Sequence, residues 1–189
     1  METTKSLFVS AMKAGLIIGV ISIVIFLFMY IAGIQPIGFM LPILILLLSI
    51  AISVAFLVIF LKKFRSEIGG FISFKDAFLY GLIALGLSVI LYQFFNFVFI
   101  QLVEPEYYKT LMEAQKTWLE NYLAGKVSEE QIATELGKID AKTAEMGSFL
   151  TLIKNTVGSL IFMAVIALVV GAIMKKKPNL FDNNTGGVI

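Results

Sequence analysis

The run AFLYGLIALGLSVILYQFFNFVFIQLV, from Ala77 to Val103, holds 27 residues without a charge. An α-helix needs about 20 apolar residues to cross the hydrocarbon core of a bilayer, so this run reads as a membrane span. The class of fold follows from it. The run is entered through Gly69-Gly70-Phe71-Ile72-Ser73-Phe74-Lys75-Asp76, just after a basic cluster, and is left through Glu104-Pro105-Glu106, so its two flanks differ in charge. Two amides, Gln93 and Asn96, stand in its second half.

Composition gives the same class. Of the 189 residues 59% are hydrophobic and 15% charged, too much apolar surface for a soluble domain of this length. The net charge of +2 is small and its basic residues are dispersed, which excludes a nucleic-acid surface. Without Cys or His the chain lacks disulfides, thiolate sites, the commonest metal ligand and the commonest general base. No cofactor or metal is expected.

Upstream of the deciding run lie two more spans. Ala14 to Ile34 is free of charge after a lead-in carrying Lys5 and Lys13, and is too long for the apolar region of a signal peptide, about 7–15 residues. Gly15, Gly19 and Ser22 fall on one face of it, where another helix could come close. After a turn containing Gly33, Pro36 and Gly38, Ile37 to Leu61 forms the second span, with Pro42 in its first turns, where a missing backbone donor is tolerated. Lys62, Lys63 and Arg65 end that span and belong at the membrane interface. Ser73, three residues before Asp76, has the spacing of a helix cap opening the third span.

Downstream the character changes. Glu104 to Glu145 carries nine acidic residues and five lysines. Tyr108, Leu111, Met112, Trp118, Leu119 and Tyr122 recur at helical spacing, Gly125 is a stop, and Ser128-Glu129-Glu130-Gln131 is a capping box for Ile132, Leu136 and Ile139. The segment 104–147 therefore reads as an amphipathic helical hairpin, with helices near 105–124 and 128–145. The last span is set at 156–174, beyond Lys154 and Asn155, and ends at Lys175, Lys176 and Lys177. The tail 178–189 is expected to be disordered.

The expected fold is thus all-α: a single integral-membrane domain, a four-helix bundle with the hairpin between its third and fourth spans. Lysine and arginine collect on one side of this layout, which the positive-inside rule makes cytoplasmic. Both termini are then inside and the hairpin is outside. At 100° per residue, Ala77, Gly81, Ala84 and Ser88 lie within about 60° of one another and match the seam of the first span. Spans one and three are expected to touch there. Gln93 and Asn96 lie about 115° away from that seam, which makes the third span an interior helix with two faces turned from lipid.

The run Gly69 to Gly81 after a basic loop, in a chain of this length with four spans and a long acidic third loop, resembles the small bacterial membrane proteins grouped as domain of unknown function 4199. The likeness covers Lys5 to Lys177. It implies a bacterial inner (cytoplasmic) membrane and carries over no catalytic residue.

Two readings of function remain. One is a non-catalytic structural or interaction module in the lipid bilayer, its partner an envelope protein or a second copy of itself, because no span has a His, Asp, Glu or Arg in its interior. The alternative is a small transporter or channel subunit, with Gln93 and Asn96 lining an outward-opening polar crevice at span three. An enzyme is not expected: Ser22, Ser49, Ser53, Ser88 and Ser159 have no His or buried acid to activate them.

Overall fold

A computed structural model describes residues 2–177, with side chains from Ser6 onward; the tail expected over 178–189 lies outside the described residues. The described chain is built from six α-helices: α1 (Glu2–Ile31), α2 (Met40–Glu67), α3 (Phe74–Val98), α4 (Tyr107–Leu123), α5 (Glu129–Glu145) and α6 (Phe149–Met174). Four of them, α1, α2, α3 with its extension to Val103, and α6, are long and apolar enough to cross a membrane. The protein is an all-α, multi-pass membrane protein.

The helix ends follow local chemistry. Pro42 stands third in α2, among the first four positions whose N–H groups have no partner inside the helix. Ser73 caps α3, its Oγ accepting from Asp76 N at 3.1 Å, while the hydroxyl donates to the Asp76 carboxylate at 2.7 Å. The glutamate of a capping box would reach back to the backbone instead. That reciprocal arrangement is complete at α5, where Gln131 N donates to Ser128 Oγ at 3.3 Å and Ser128 N to Gln131 Oε1 at 3.2 Å.

Three helices outrun the apolar runs. α1 begins before Ala14 and α2 continues through Lys62, Lys63 and Arg65. α6 begins at Phe149, so that Lys154 and Asn155 lie within it. Hydropathy marks the part that lipid must cover, whereas a helix goes on until its backbone is capped. For α6 the cap is Ser148, whose Oγ accepts from Thr151 N at 3.1 Å. α3 ends otherwise, in a wider π-helical turn over Phe99–Val103 that Glu104 N closes onto Phe99 O at 2.9 Å.

The buried core sits at one end of the bundle. It joins Ala11, Ala14 and Ile18 of α1, Leu57, Leu61 and Phe64 of α2, Ala77, Tyr80 and Leu85 of α3, and Ala167, Val170 and Met174 of α6. At this end Ile72 and Lys176 exchange two backbone hydrogen bonds of 3.0 Å, and the Arg65 guanidinium donates to the Met174 carbonyl at 3.2 Å. The start of α1, the end of α2, the start of α3 and the end of α6 therefore lie together, with α4 and α5 at the opposite end.

Small residues allow this closeness. A Cβ on Gly15 would lie 2.6 Å from the Ala84 carbonyl oxygen, and one on Gly19 would lie 3.3 Å from the Ser88 Cα. Lipid provides no hydrophobic drive between helices, so such backbone-to-backbone packing is what holds spans together. The seam on α3 is divided, however. Gly81 turns from α1 to α6, where its Cβ would lie 3.2 Å from that of Ala167, and on α6 a Cβ at Gly171 would come within 2.9 Å of Phe78 N. Two neighbours flank α3 at this depth, and a single face of small residues serves both.

Candidate functional site

Beyond Ser88 the packing changes. In place of Gly15, Gly19, Gly81 and Ala84 the facing positions carry Ile21, Ile25 and Phe26 on α1 and Val89 and Tyr92 on α3, and α1 meets α3 through rings instead, Phe26 lying edge-on to Phe99 with centroids 5.1 Å apart. α2 is buried only at Ser53, Leu57, Leu61 and Phe64, from its midpoint onward. Its first half stands off from the bundle. The space left between α1, α2, α3 and α6 is a cavity of about 410 Å³, within the range of about 300–1,000 Å³ found for small-molecule sites.

Its wall is apolar even where serines line it. Ser22 donates to the Ile18 carbonyl at 3.0 Å, Ser53 to Ser49 at 2.8 Å and Ser88 to Leu85 at 2.8 Å. A hydroxyl has one proton, and each of these three is used by its own helix. Among the described residues no Asp, Glu, Lys or Arg lines the cavity. Free polar character gathers toward the α4 end, where Gln93 Nε2 donates to Ser159 Oγ of α6 at 3.2 Å and Tyr92, Tyr107 and Tyr108 contribute to the wall.

α4 covers that end. Leu111 is buried there. Asn96 Nδ2 donates to the Tyr108 hydroxyl at 3.1 Å, and the hydroxyl donates back to Asn96 Oδ1 at 3.2 Å. Burial raises the Tyr108 phenol above the usual tyrosine range, with a smaller opposing pull from its hydrogen bond to Asn96, so at neutral pH it keeps the proton this pairing needs. The α1–α2 turn is tied to α4 as well: Gly38 N donates to Gln115 Oε1 at 2.8 Å, and Phe39 meets Trp118 edge-on with ring centroids 4.8 Å apart. Gly38 has φ +84°, and a Cβ there would lie 3.1 Å from the Trp118 ring, so turn geometry and close approach both call for glycine. Tyr30 of α1 donates to Glu104 at 2.9 Å and packs against Tyr107 with centroids 5.4 Å apart. α5 has no buried residue and follows α4, linked to it by the Lys116–Asp140 ion pair.

The two amides singled out in the sequence are divided between two spaces. Gln93 lines the large cavity. It also lines a neighbouring one of about 160 Å³ that Asn96 enters, and that runs past Tyr108 to Thr151 and Asn155. Gly15, Gly19, Ala77, Gly81 and Ala84 lie in the packed half, Ser88 lies on the boundary, and Ser22 forms cavity wall. Lys62, Lys63, Lys175, Lys176 and Lys177 are exposed at the far end. Sequence reasoning did not find Tyr92, Tyr107 and Ser159 as cavity residues. Tyr108 carried only the signal of an apolar helix face. The adjacency of Tyr92 to Gln93 was the available hint, a polar patch one helical turn from Asn96.

No curated protein and no solved structure matches the chain significantly. A family model matches residues 13–176, which include most of both the packed half and the cavity, and on that match the chain belongs to the family described as Protein of unknown function (DUF4199).

Proposed function

We propose that the protein is a non-catalytic module of the bacterial inner membrane in which the α4–α5 pair covers the bundle from outside, both termini being cytoplasmic. The observation that carries this reading is the seal made by α4. Leu111, the Tyr108–Asn96 pair and the Gly38–Gln115 bond close the α4 end of the cavity, while the core around Leu57, Leu85 and Ala167 closes the other. Three serine hydroxyls of the wall, Ser22, Ser53 and Ser88, donate to carbonyls of their own helices and not to a base, which fits a site without nucleophilic chemistry. The orientation rests on the exposed basic residues at the end opposite α4.

The second reading, a small transporter or channel subunit, is favoured by the cavity itself and by Gln93 within it. Reconstituting the full chain in proteoliposomes separates the two. No flux of ions or small polar solutes above that of empty vesicles is expected, and flux above that level would overturn the module reading. Single cysteines can be introduced without native background; one near Lys126 should react with an impermeant thiol reagent in spheroplasts, and one near Arg65 should not.

A further inference from the structure

We infer that the cavity between the outer halves of α1, α2, α3 and α6 binds an uncharged single-chain lipid. Its hydrocarbon lies along Ile21, Ile50, Val89 and Met163, and its hydroxyl or ester head lies at Gln93 and Tyr92. The inference rests on the reading of the bundle as a membrane module, and it names what that module holds.

Four observations select this class of ligand. The wall offers no ionised partner among the described residues, and a charged head placed there would be desolvated without compensation. The protons of Ser22, Ser53 and Ser88 are already given to their own helices, so a sugar or polyol would exchange its hydrogen bonds with water for very few in the cavity. Apart from Ser49, the polar groups left over gather on one side, at Gln93 and Ser159 and the hydroxyls of Tyr92, Tyr107 and Tyr108, which is the pattern an amphiphile matches. The volume of about 410 Å³ lies low in the usual range of ligand sites, which suits one chain better than two.

The source of the ligand follows from the surroundings. α4 covers the mouth toward its own side, whereas α2 is buried only from Ser53 onward and presents exposed Leu44, Leu47 and Leu48 before it. The chain arrives sideways from the bilayer, past the unpacked half of α2.

The test uses the full chain in phosphatidylcholine nanodiscs with palmityl alcohol carrying a photoactivatable diazirine near its chain end. Adducts are expected on Ile50, Val89 or Met163. Unlabelled palmityl alcohol or monopalmitoylglycerol should compete them away, and the matched alkyl phosphate should compete about tenfold less well or worse. Adducts confined to the outward-facing Leu44, Leu48 and Ile161, or equal competition by the phosphate, would overturn the site. Val89→Trp fills the cavity from α3 and Met163→Trp fills it from α6. Labelling that persists in either variant when folded would also overturn the site, and the wild-type competition decides the matter if neither folds. Solute flux in proteoliposomes would count against the module reading alone, while absence of protected labelling without flux would count against the lipid site alone.

Discussion

The two halves of this bundle solve the same problem in opposite ways. At the basic end the helices meet through glycine and alanine, with Gly15 against the Ala84 carbonyl and Gly171 against Phe78 N, and large side chains such as Leu85 and Tyr80 are almost wholly enclosed. At the α4 end isoleucine and aromatic residues stand where the small ones were, α1 meets α3 through rings such as Phe26 and Phe99, and a cavity of about 410 Å³ lies beside them under the outer part of α2. Since apolar side chains gain nothing by leaving lipid for one another, a membrane bundle is tight only where its backbones can touch. Where they cannot, it needs some other device, and here that device is a cover. α4 is fastened to the turn after α1 and to α3 by hydrogen bonds and, by the ring of Tyr107 edge-on to Tyr30, to α1.

The widest contrast should appear when bulk is added. Gly15→Leu would drive a side chain into the Ala84 carbonyl, whose backbone cannot yield without displacing α3. Overpacking ordinarily costs about 1–3 kcal/mol, and a clash with backbone belongs at or above the top of that range. Gly158→Leu, on the exposed face of α6 with nothing within 4 Å of its Cβ position, should be neutral or slightly stabilising. Thermal unfolding in detergent reads both. Equal effects would mean that the tight half is not held by its backbone contacts.

Removing bulk should separate the halves by less. Leu85→Ala opens a new void in a closed core, and should cost about 2–5 kcal/mol. Ile50→Ala only widens a space that exists already. Its side chain has fewer atoms to lose contact with, so the cost should fall to about 1 kcal/mol or below. If the two losses in detergent were the same, the outer half would be as well packed as the inner one.

How far this division was legible in the sequence depends on which half is considered. The small residues on α1 and α3 recur at helical spacing, so Gly15, Gly19, Ala84 and Ser88 could be placed on facing seams. The spacing could not say that Gly81 would turn to Ala167, because a face of α3 shared by two neighbours looks the same in sequence as a face with one. Capping chemistry marked the starts of α3 and α5 at Ser73 and Ser128. The start of α6 at Ser148 was hidden by Lys154 and Asn155, which lower hydropathy without stopping a helix. The cavity had no signature of its own, since it lies where the outer part of α2 stands off from its neighbours and its wall is made of the Ile, Ser, Met and aromatic residues common in any span. Of the site only Gln93 and Asn96 could be read, as polar groups too costly to leave in lipid.

The smallest expected effect belongs to the joint between the halves, the reciprocal pair of Asn96 and Tyr108. Hydrogen bonds between helices in membrane proteins average about 0.6 kcal/mol and reach about 1.7, so Asn96→Leu and Tyr108→Phe should each lower stability only slightly. The double variant should cost less than the sum of the two. The effect should instead be seen in the cover: a cysteine at Leu111 ought to become more reactive toward a water-soluble thiol reagent in either variant, with the melting of the packed half nearly unchanged. Titration adds a second reading. Burial raises the Tyr108 phenol above its usual 10.0, so the folded protein holds this proton more tightly than the unfolded chain does. Its contribution is fully present below pH 10.0 and is lost as pH rises through the raised folded value. Wild type should therefore lose stability more steeply than Tyr108→Phe above that pH, and the two should run parallel between neutral pH and about 9. Parallel curves throughout, together with an unreactive Leu111 cysteine in both variants, would show that α4 is held by its other contacts, such as Leu111, Trp118 and the Gly38–Gln115 bond, and that the Asn96–Tyr108 pair contributes nothing to closing the cavity.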